Sequence, residues 1–398
     1  MPACRIWGLG LEDSLELGHW ALVIYPPPLP LSILIAPDKF KGTLTAPQAA
    51  KAIARGWRAA RSEDSLTLLP ISDGGDGFGA LMAEAIGADS LAVETQDAAH
   101  APTTARCWML RNSGTAIVES ANIIGLAMLA AEKRRPLELD SCGLGIVLRD
   151  KKFAECRQRI IGVGGSATND GGFGMARELG WGFEDNQGEP ILTWIDLVNL
   201  KKIHPPKSEL AGETIVAVDV QNPLLGSEGC TRVYGPQKSL REEDIPKAEA
   251  ALGRLAEVWE SQTGEDAANL PGAGAAGGLG FGLHCFAGAK IRSGFEIFAE
   301  AAGLDALLRE ADVVVTGEGA MDRQSVMGKG VGELAKRAGA NGCRCIGLAG
   351  RVEDRPTLAG YLDDCHALTD LTSATEAEAD AARWLEEVAR EVANGLEG

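Results

Sequence analysis

The sequence is poor in the residues that mark metal clusters, disulfide frameworks and nucleic-acid surfaces. Its five histidines stand apart from one another, and its nine cysteines include no C-x-x-C pair and no Cys/His cluster at zinc spacing. This cysteine pattern predicts reduced thiols in a cytoplasmic protein. Positive charge is also scarce, with 38 Lys and Arg against 56 Asp and Glu and a net charge of −18, which argues against a nucleic-acid or anionic-membrane partner. No apolar run reaches the length of a membrane span.

Hydrophobic residues and glycine are abundant. A hydrophobic content of 45% over 398 residues is enough for a substantial core and predicts two domains or one large α/β body. The 50 glycines cluster at loop positions, which indicates many tight turns. Residues 1–30 differ from the rest because several prolines interrupt their apolar residues, and we expect an atypical N-terminal extension there.

Apolar runs of β character alternate with helical patterns through much of the chain. Thr45 and Gln48 have the spacing of a capping box and predict the start of the first helix. The repeated β-then-α order predicts a parallel sheet covered by helices on both faces, with a β-rich part after residue 90. The predicted strands cover residues 31–36, 66–71, 91–95, 105–110, 116–119, 160–163, 214–220, 312–316 and 345–349.

Charged residues follow several of these strands. The carboxyl ends of parallel strands meet at one edge of an open sheet, where ligands bind. Asp73 and Asp76 lie on either side of two glycines, a pattern that suits Mg²⁺ or a base for a hydroxyl proton but also ordinary Asx turns. The charged residues at strand ends are Lys39, Lys41, Asp73, Asp76, Asp219, Glu318 and Asp322.

Two glycine-rich segments stand out. The first, residues 159–181, reads as a strand, a glycine loop and the start of a helix, an arrangement that offers backbone N–H groups to a phosphate or serves as a structural turn. The second, residues 270–283, contains G-x-G-x-x-G at Gly272, Gly274 and Gly277. A dinucleotide-binding motif of this kind follows a β-strand, whereas Pro271 and a helical pattern precede this one.

Glycine loops, lysines and carboxylates together favour phosphoryl transfer, because such enzymes surround phosphates with donors and orient the acceptor hydroxyl with a carboxylate. The sequence has no G-x-S-x-G elbow, no Walker A motif and no protein-kinase motif set. The alternative is an NAD(P)-dependent oxidoreductase that uses the Gly162–Ala167 loop, with Glu184 or Asp185 as the ribose partner, although further glycines delay its helix. A binding module without catalysis is a third interpretation.

Several long motifs occur in one order between residues 31 and 349: APDKFKGTLTAPQAAKAI, DGGDG, GVGGSATNDGG, VDVQNPLLGSEG with YGPQK, LPGAGAAGGLGFGL and TGEGAMDRQSVMGK. In this set and order the chain resembles the bacterial glycerate kinases of type 1. The resemblance implies phosphorylation of D-glycerate to 2-phosphoglycerate with ATP and Mg²⁺, in a cleft between two α/β domains. It implies a doubly wound first domain of residues 31–75 and 290–398, with residues 76–289 inserted as a second α/β domain.

The resemblance also implies site roles. Asp73, Asp76 and Asp219 become candidates for the base or for Mg²⁺ carboxylates, and Glu318 and Asp322 for further metal ligands or helix caps. D-glycerate and ATP are the implied partners, and the resemblance is also compatible with a homodimer. The implied contacts to phosphate or to the substrate carboxylate are Lys39, Lys41, Gly164, Gly165, Ser166, Asn169, Asp170, Gly274, Gly277, Gly278 and Lys329.

The chain departs from the family pattern in residues 1–30, in the segment ESANIIGL at residues 119–126, and at two single positions. Ala320 stands where the pattern has Arg, and Asp140 stands where Thr is usual. We expect these departures to affect substrate affinity more than the fold.

Overall fold

The computed structural model describes residues 29–323, 325–326 and 330–396. The predicted extension of residues 1–30 therefore lies almost wholly outside the described residues. The strands are β1 (Ser32–Ile35), β2 (Ser65–Leu68), β3 (Asp89–Gln96), β4 (Pro102–Leu110), β5 (Thr115–Glu119), β6 (Gln158–Gly162), β7 (Gly182–Asp185), β8 (Leu200–His204), β9 (Glu213–Val218), β10 (Lys290–Ser293), β11 (Val313–Met321), β12 (Arg344–Val352) and β13 (Asp364–Ala367).

Helices connect and cover these strands. The α-helices are α1 (Ala46–Ala60), α2 (Phe78–Ile86), α3 (Ala121–Ile124), α4 (Cys142–Arg149), α5 (Lys151–Ala154), α6 (Phe173–Glu178), α7 (Cys230–Tyr234), α8 (Ile245–Thr263), α9 (Ala275–Ala287), α10 (Gly294–Ala302), α11 (Leu304–Glu310), α12 (Gly330–Ala340), α13 (Arg355–Leu358), α14 (Ala374–Ala379) and α15 (Ala381–Gly395). Within the described ranges, no helix has the length and apolar character needed to cross a membrane.

The first sheet has five parallel strands in the order β13-β12-β11-β1-β2. Its central pairing aligns Ile33 of β1 with Val313 of β11, so the sheet combines an early part of the chain with a late part. Its strands are rich in Val, Ile and Leu, as expected for a parallel sheet that is buried on both faces. The α/β class with a parallel sheet is confirmed.

The second sheet has six strands in the order β10-β9-β6-β5-β4-β3. Strands β5, β6, β9 and β10 run parallel, and the predicted β-rich part forms the antiparallel edge of β3 and β4. The boundaries 31–75 with 290–398, and 76–289, stay a prediction. Strand β10, at the start of the segment 290–398, pairs with β9 of the second sheet.

A continuous apolar core joins the two sheets. It contains Leu34 of β1 and Val314 of β11 from the first sheet together with Ile117 of β5 from the second, and helices α2 and α10 contribute Phe78 and Phe295. All five side chains are almost completely buried. This packing fixes the carboxyl ends of strands from both sheets relative to one another.

Thr45 and Gln48 form the predicted capping box at the start of α1. Two other predicted segments differ from their observed form. The second glycine-rich segment is a turn only over residues 271–274, and from Ala275 it belongs to α9, with left-handed backbone at residues 276–278. Strand β11 also extends to Met321, through residues that we expected in a loop, because β12 continues to pair with it.

Candidate active site

Lys39 follows strand β1 and lies among carboxylates. Its Nζ donates a hydrogen bond to the backbone oxygen of Asp76 at 3.3 Å. Burial disfavours the charged ammonium, but the surrounding carboxylates outweigh that effect and raise the pKa of Lys39. These are the carboxylates of Asp38, Asp73, Asp76 and Asp219. Lys39 is therefore held as a cation, ready to meet a second anionic group.

Gly75 marks the point where three strand ends meet. A Cβ atom built on Gly75 would lie 2.9 Å from Lys39 Nζ, 3.2 Å from Asp73 Oδ1 and 3.8 Å from Asp219 Oδ2. These side chains follow β1, β2 and β9, so the first and second sheets both contribute to the same place. Asp73 Oδ1 also accepts the N–H of Gly75 at 3.2 Å. This hydrogen bond is the Asx turn that the sequence allowed as an alternative to a metal or base role for Asp73.

The glycine loop after β6 reaches this place from the second sheet. A Cβ atom on Gly164 would lie 2.5 Å from the Cα of Gly75, and one on Gly165 would overlap Oδ1 of Asp76. The φ angle of Gly165 is +70°, in the left-handed region that favours glycine. In the described part of the chain, the N–H groups of Gly164 and Gly165 make no hydrogen bond to a protein acceptor. These donors are available to an anion.

Asp38 is a candidate residue that the sequence analysis passed over. Burial, reinforced by the negative charge of Asp73, raises the pKa of the Asp38 carboxyl to about 7, against the opposing effect of Lys39. Glu318 of β11 raises it further, and the N–H of Asp38 donates to the backbone oxygen of Gly317 at 2.8 Å. The signal in the sequence was its place at the end of β1, directly before Lys39.

Glu119 is a second residue that sequence reasoning missed, and it holds the Asp73–Gly77 turn in place. It ends strand β5 and is only 4% exposed. Its carboxylate accepts the N–H of Gly77 at 2.7 Å and that of Gly79 at 3.1 Å, at the beginning of α2. Burial raises the pKa of Glu119, while these two hydrogen bonds oppose the increase. Only its position after a strand could have identified it.

The remaining residues predicted as cations or metal ligands do not all lie beside Lys39. Lys41 is exposed, two residues beyond Lys39. Asp322 forms a local turn in which its Oδ1 accepts the N–H of Ser325 at 3.2 Å and its own N–H donates to Ser325 Oγ at 3.1 Å. Lys329 lies outside the described residues. Carboxylate oxygens are the ligands that Mg²⁺ prefers, and Asp73 and Asp219 both lie close to Gly75, whereas the metal roles of Glu318 and Asp322 stay a prediction.

Three polar residues of the first glycine loop point inward. Asp170 is fully buried and accepts hydrogen bonds from Ser141 Oγ at 2.7 Å and from the N–H of Gly174 at 2.9 Å. A carboxylate of the protein itself therefore lies at the start of α6, and contacts of Asn169 and Asp170 to phosphate or substrate stay a prediction. Asn169 is also fully buried and donates to Thr231 Oγ1 at 3.0 Å, and Ser166 is 3% exposed. Their arrangement supports the loop from within.

A buried lysine lies behind the same loop. Lys238 Nζ donates to the backbone oxygen of Thr168 at 2.6 Å. Burial lowers the pKa of Lys238 to about 8, although Cys230 and Asp170 oppose the decrease. Burying an ammonium group costs folding free energy when few opposite charges surround it. The contact between Lys238 and Thr168 therefore holds the loop in place at a cost that an apolar side chain would not carry.

The glycines of the second segment serve close packing. A Cβ atom on Gly274 would overlap the backbone oxygen of Pro223, and one on Gly278 would lie 2.9 Å from the Cα of Gly171. A Cβ atom on Gly277 would lie 2.8 Å from Lys238 Nζ. Helix α9 can therefore approach the first glycine loop because side chains are absent. Phosphate contacts by these three glycines stay a prediction.

The geometry does not favour the dinucleotide alternative. Helix α6 begins at Phe173, well after the Gly162–Ala167 loop, so this loop does not lead directly into a helix N-terminus. Glu184 lies on β7 in a separate two-stranded sheet, 2.9 Å from the Nε2 of His204. A ribose partner would be expected at the end of a neighbouring parallel strand.

Introducing a side chain at Gly165 tests the approach of the two loops. The Gly165→Ala variant should lower kcat/KM about 10²-fold, because its methyl group displaces the Asp76 carboxylate and strains a left-handed residue. Steady-state kinetics and a thermal melt would measure this. Gly188→Ala is the matched control, since Gly188 has φ +88° with nothing within 4 Å of an added Cβ. Equal activities of the two variants would contradict the assignment.

The chain is similar to several known proteins over most of its length. The model of the glycerate kinase family matches residues 33–397. The chain is 37% identical to a glycerate kinase of Halalkalibacterium halodurans and 36% identical to a glycerate 2-kinase of Escherichia coli, in each case over 81% of this chain and 86% of the relative. A crystal structure assigned to glycerate kinase 2 of Salmonella typhimurium LT2 superposes with a TM-score of 0.74 at 35% identity, covering 91% of this chain and 97% of that one. The chain therefore belongs to the glycerate kinase family and is an enzyme of the kinase class.

Proposed function

We propose that this protein transfers the γ-phosphoryl group of ATP to D-glycerate and forms 2-phosphoglycerate, with Mg²⁺ as the cofactor. The observation that carries the proposal is the Lys39 cluster, where a lysine, carboxylates and a glycine loop meet at strand ends of two sheets. Phosphoryl transfer needs these parts, because it depends on positioning and on neutralising charge. The names of the relatives supply glycerate as the substrate class.

Lys39 is the residue that meets the transferred phosphoryl group. Negative charge on its oxygens must be neutralised as the reaction proceeds, and a cation that its neighbours hold in place does this better than a mobile one. The free N–H groups of Gly164 and Gly165 bind the same kind of anion from the second sheet. Because the two loops are in contact through Gly75 and Gly164, both sets of donors can act on one ligand.

Asp38 is the candidate for general base. The acceptor hydroxyl of glycerate must lose its proton, and a carboxyl whose pKa is about 7 is well matched to this task at neutral pH. Asp73, Asp219 and Glu318 are the residues that would hold Mg²⁺, which when bound screens the phosphate charges from one another. This division separates a proton-accepting carboxylate from metal-binding ones.

A coupled assay tests the function. Purified protein, ATP, Mg²⁺ and D-glycerate should release ADP, and omission of either glycerate or Mg²⁺ should abolish the release. Adding enolase identifies the carbon that is phosphorylated, since enolase dehydrates 2-phosphoglycerate directly but needs a mutase to use 3-phosphoglycerate. Turnover of L-glycerate alone, or no ADP release by folded protein that instead binds NAD, would overturn the proposal.

A further inference from the structure

A second cluster of potential ligands lies apart from the Lys39 carboxylates. Among the described residues, His100, Asp140 and Cys142 each present one ligating atom, and these atoms lie within 4.8 Å of one another. His100 comes from the hairpin between β3 and β4, and the other two residues come from the beginning of α4. We propose that these three side chains form a binding site for a zinc-like transition-metal ion.

The geometry of the cluster suits such an ion. Nε2 of His100 lies 3.4 Å from Oδ2 of Asp140, which is long for a hydrogen bond but close to the separation of two ligands on one tetrahedral ion. Three protein ligands leave the fourth tetrahedral position to water, and Glu178 Oε1, 3.2 Å from Cys142 Sγ, can take the proton that the thiol must lose. A set of imidazole, thiolate and carboxylate groups is typical of zinc, whereas Mg²⁺ prefers oxygen alone.

The protein backbone already holds the ligands in place. Asp97 Oδ1 accepts the N–H groups of Ala99 and Ala101, both at 2.9 Å, and thereby fixes the turn that carries His100. His100 itself has φ +62°, a conformation that is uncommon for a residue other than glycine. The N–H of Cys142 donates to Asp140 Oδ1 at 2.9 Å, which leaves Oδ2 directed toward His100. Little rearrangement is needed before an ion binds.

Gln96 lies beside two of the ligands. Its Nε2 is 3.0 Å from His100 Nδ1 and donates to Cys142 Sγ at 2.9 Å. The second contact would stabilise a thiolate ligand, whereas binding of an ion by His100 Nε2 would place the ring proton on Nδ1 and break the first contact. The His100 side chain is 47% exposed and that of Asp140 12% exposed, so an ion can enter from solvent. A bound ion would tie the β3–β4 hairpin to α4.

Cobalt titration of the metal-stripped full chain tests this proposal. Co²⁺ should produce a thiolate-to-metal charge-transfer band together with the intensified visible bands of a tetrahedral ion, and one equivalent of Zn²⁺ should remove both. The Cys142→Ser variant should lose the charge-transfer band. His100→Ala should weaken Zn²⁺ binding about 10-fold or more, measured by competition with a chromogenic chelator.

Matched controls exclude nonspecific effects. Cys365→Ser removes another half-buried thiol, and His204→Ala removes another histidine beside a carboxylate, so both should bind Zn²⁺ like wild type. Zn²⁺ should also protect Cys142 of the wild-type protein from alkylation, a readout by mass spectrometry that does not depend on the folding of a variant. Absence of a thiolate band at saturating Co²⁺, or unprotected Cys142, would overturn the proposal.

Discussion

Replacement of Lys39 by Met should lower kcat/KM for glycerate phosphorylation about 10³-fold or more. The ammonium is surrounded by the carboxylates of Asp38, Asp73, Asp76 and Asp219, so its removal leaves the cleft strongly negative. A nucleotide phosphate would then enter a site that repels it, and nothing would neutralise the charge of the phosphoryl group in transfer. Steady-state kinetics with varied ATP and glycerate would measure the loss.

Lys41→Met is the matched control for this variant. Lys41 belongs to the same loop but is exposed, so solvent screens its charge and its replacement should change kcat/KM by less than about 3-fold. Thermal melts of both variants would show whether the fold is retained. If the two variants were equally active, Lys39 would be a structural counter-ion of the carboxylates and would have no part in phosphoryl transfer.

Replacement of Asp38 by Asn should lower kcat about 10²-fold or more and change the pH profile. The raised pKa of Asp38, about 7, means that the carboxyl becomes protonated as pH falls through this value, and a protonated base cannot accept the hydroxyl proton. Wild-type kcat/KM should therefore rise with pH up to about 7 and then level off. The Asn variant should lack this rise because the amide that replaces the carboxyl does not bind a proton in this pH range.

Two outcomes separate base catalysis from other roles of Asp38. If the Asn variant recovered at high Mg²⁺ and only its apparent Mg²⁺ affinity had decreased, Asp38 would be a metal ligand. If the acidic limb persisted in the variant, another carboxylate would be the base. Asp312→Asn is the control, because Asp312 lies at the opposite end of the same sheet, where its Oδ2 accepts the N–H of Ser32 at 2.8 Å.

The sequence predicted the positions of β1, β2 and β9, but neither the extension of β11 to Met321 nor the direction of the side chains that follow the strands. Apolar periodicity located β1, β2 and β9, and the rule for parallel sheets brought Lys39 and Asp73 together. Asp170 and Asn169 occur in the same glycine loop as Gly164 and Gly165, yet they are fully buried. A loop pattern does not reveal which of its polar residues satisfy donors inside the protein.

Other parts of the site depend on contacts between distant segments. Glu119 acts through the N–H groups of residues about 40 positions earlier, and Lys238 acts through a carbonyl 70 positions earlier. The close packing at Gly274, Gly277 and Gly278, against Pro223, Thr168 and Gly171, is a further contact of this kind. A single sequence carries no local signal for such pairings.

The pairing of β1 with β11 has a consequence for the order of folding during synthesis. Contacts between these strands join residues 280 positions apart, whereas the six-stranded sheet is built from the intervening chain alone. The six-stranded sheet can therefore form on the ribosome first, while β1 and β2 remain without β11 and expose apolar faces and unpaired strand edges. Pairing of strands that are so far apart in the sequence is slow. We expect the nascent chain to depend most on chaperones during the time before β11 pairs with β1.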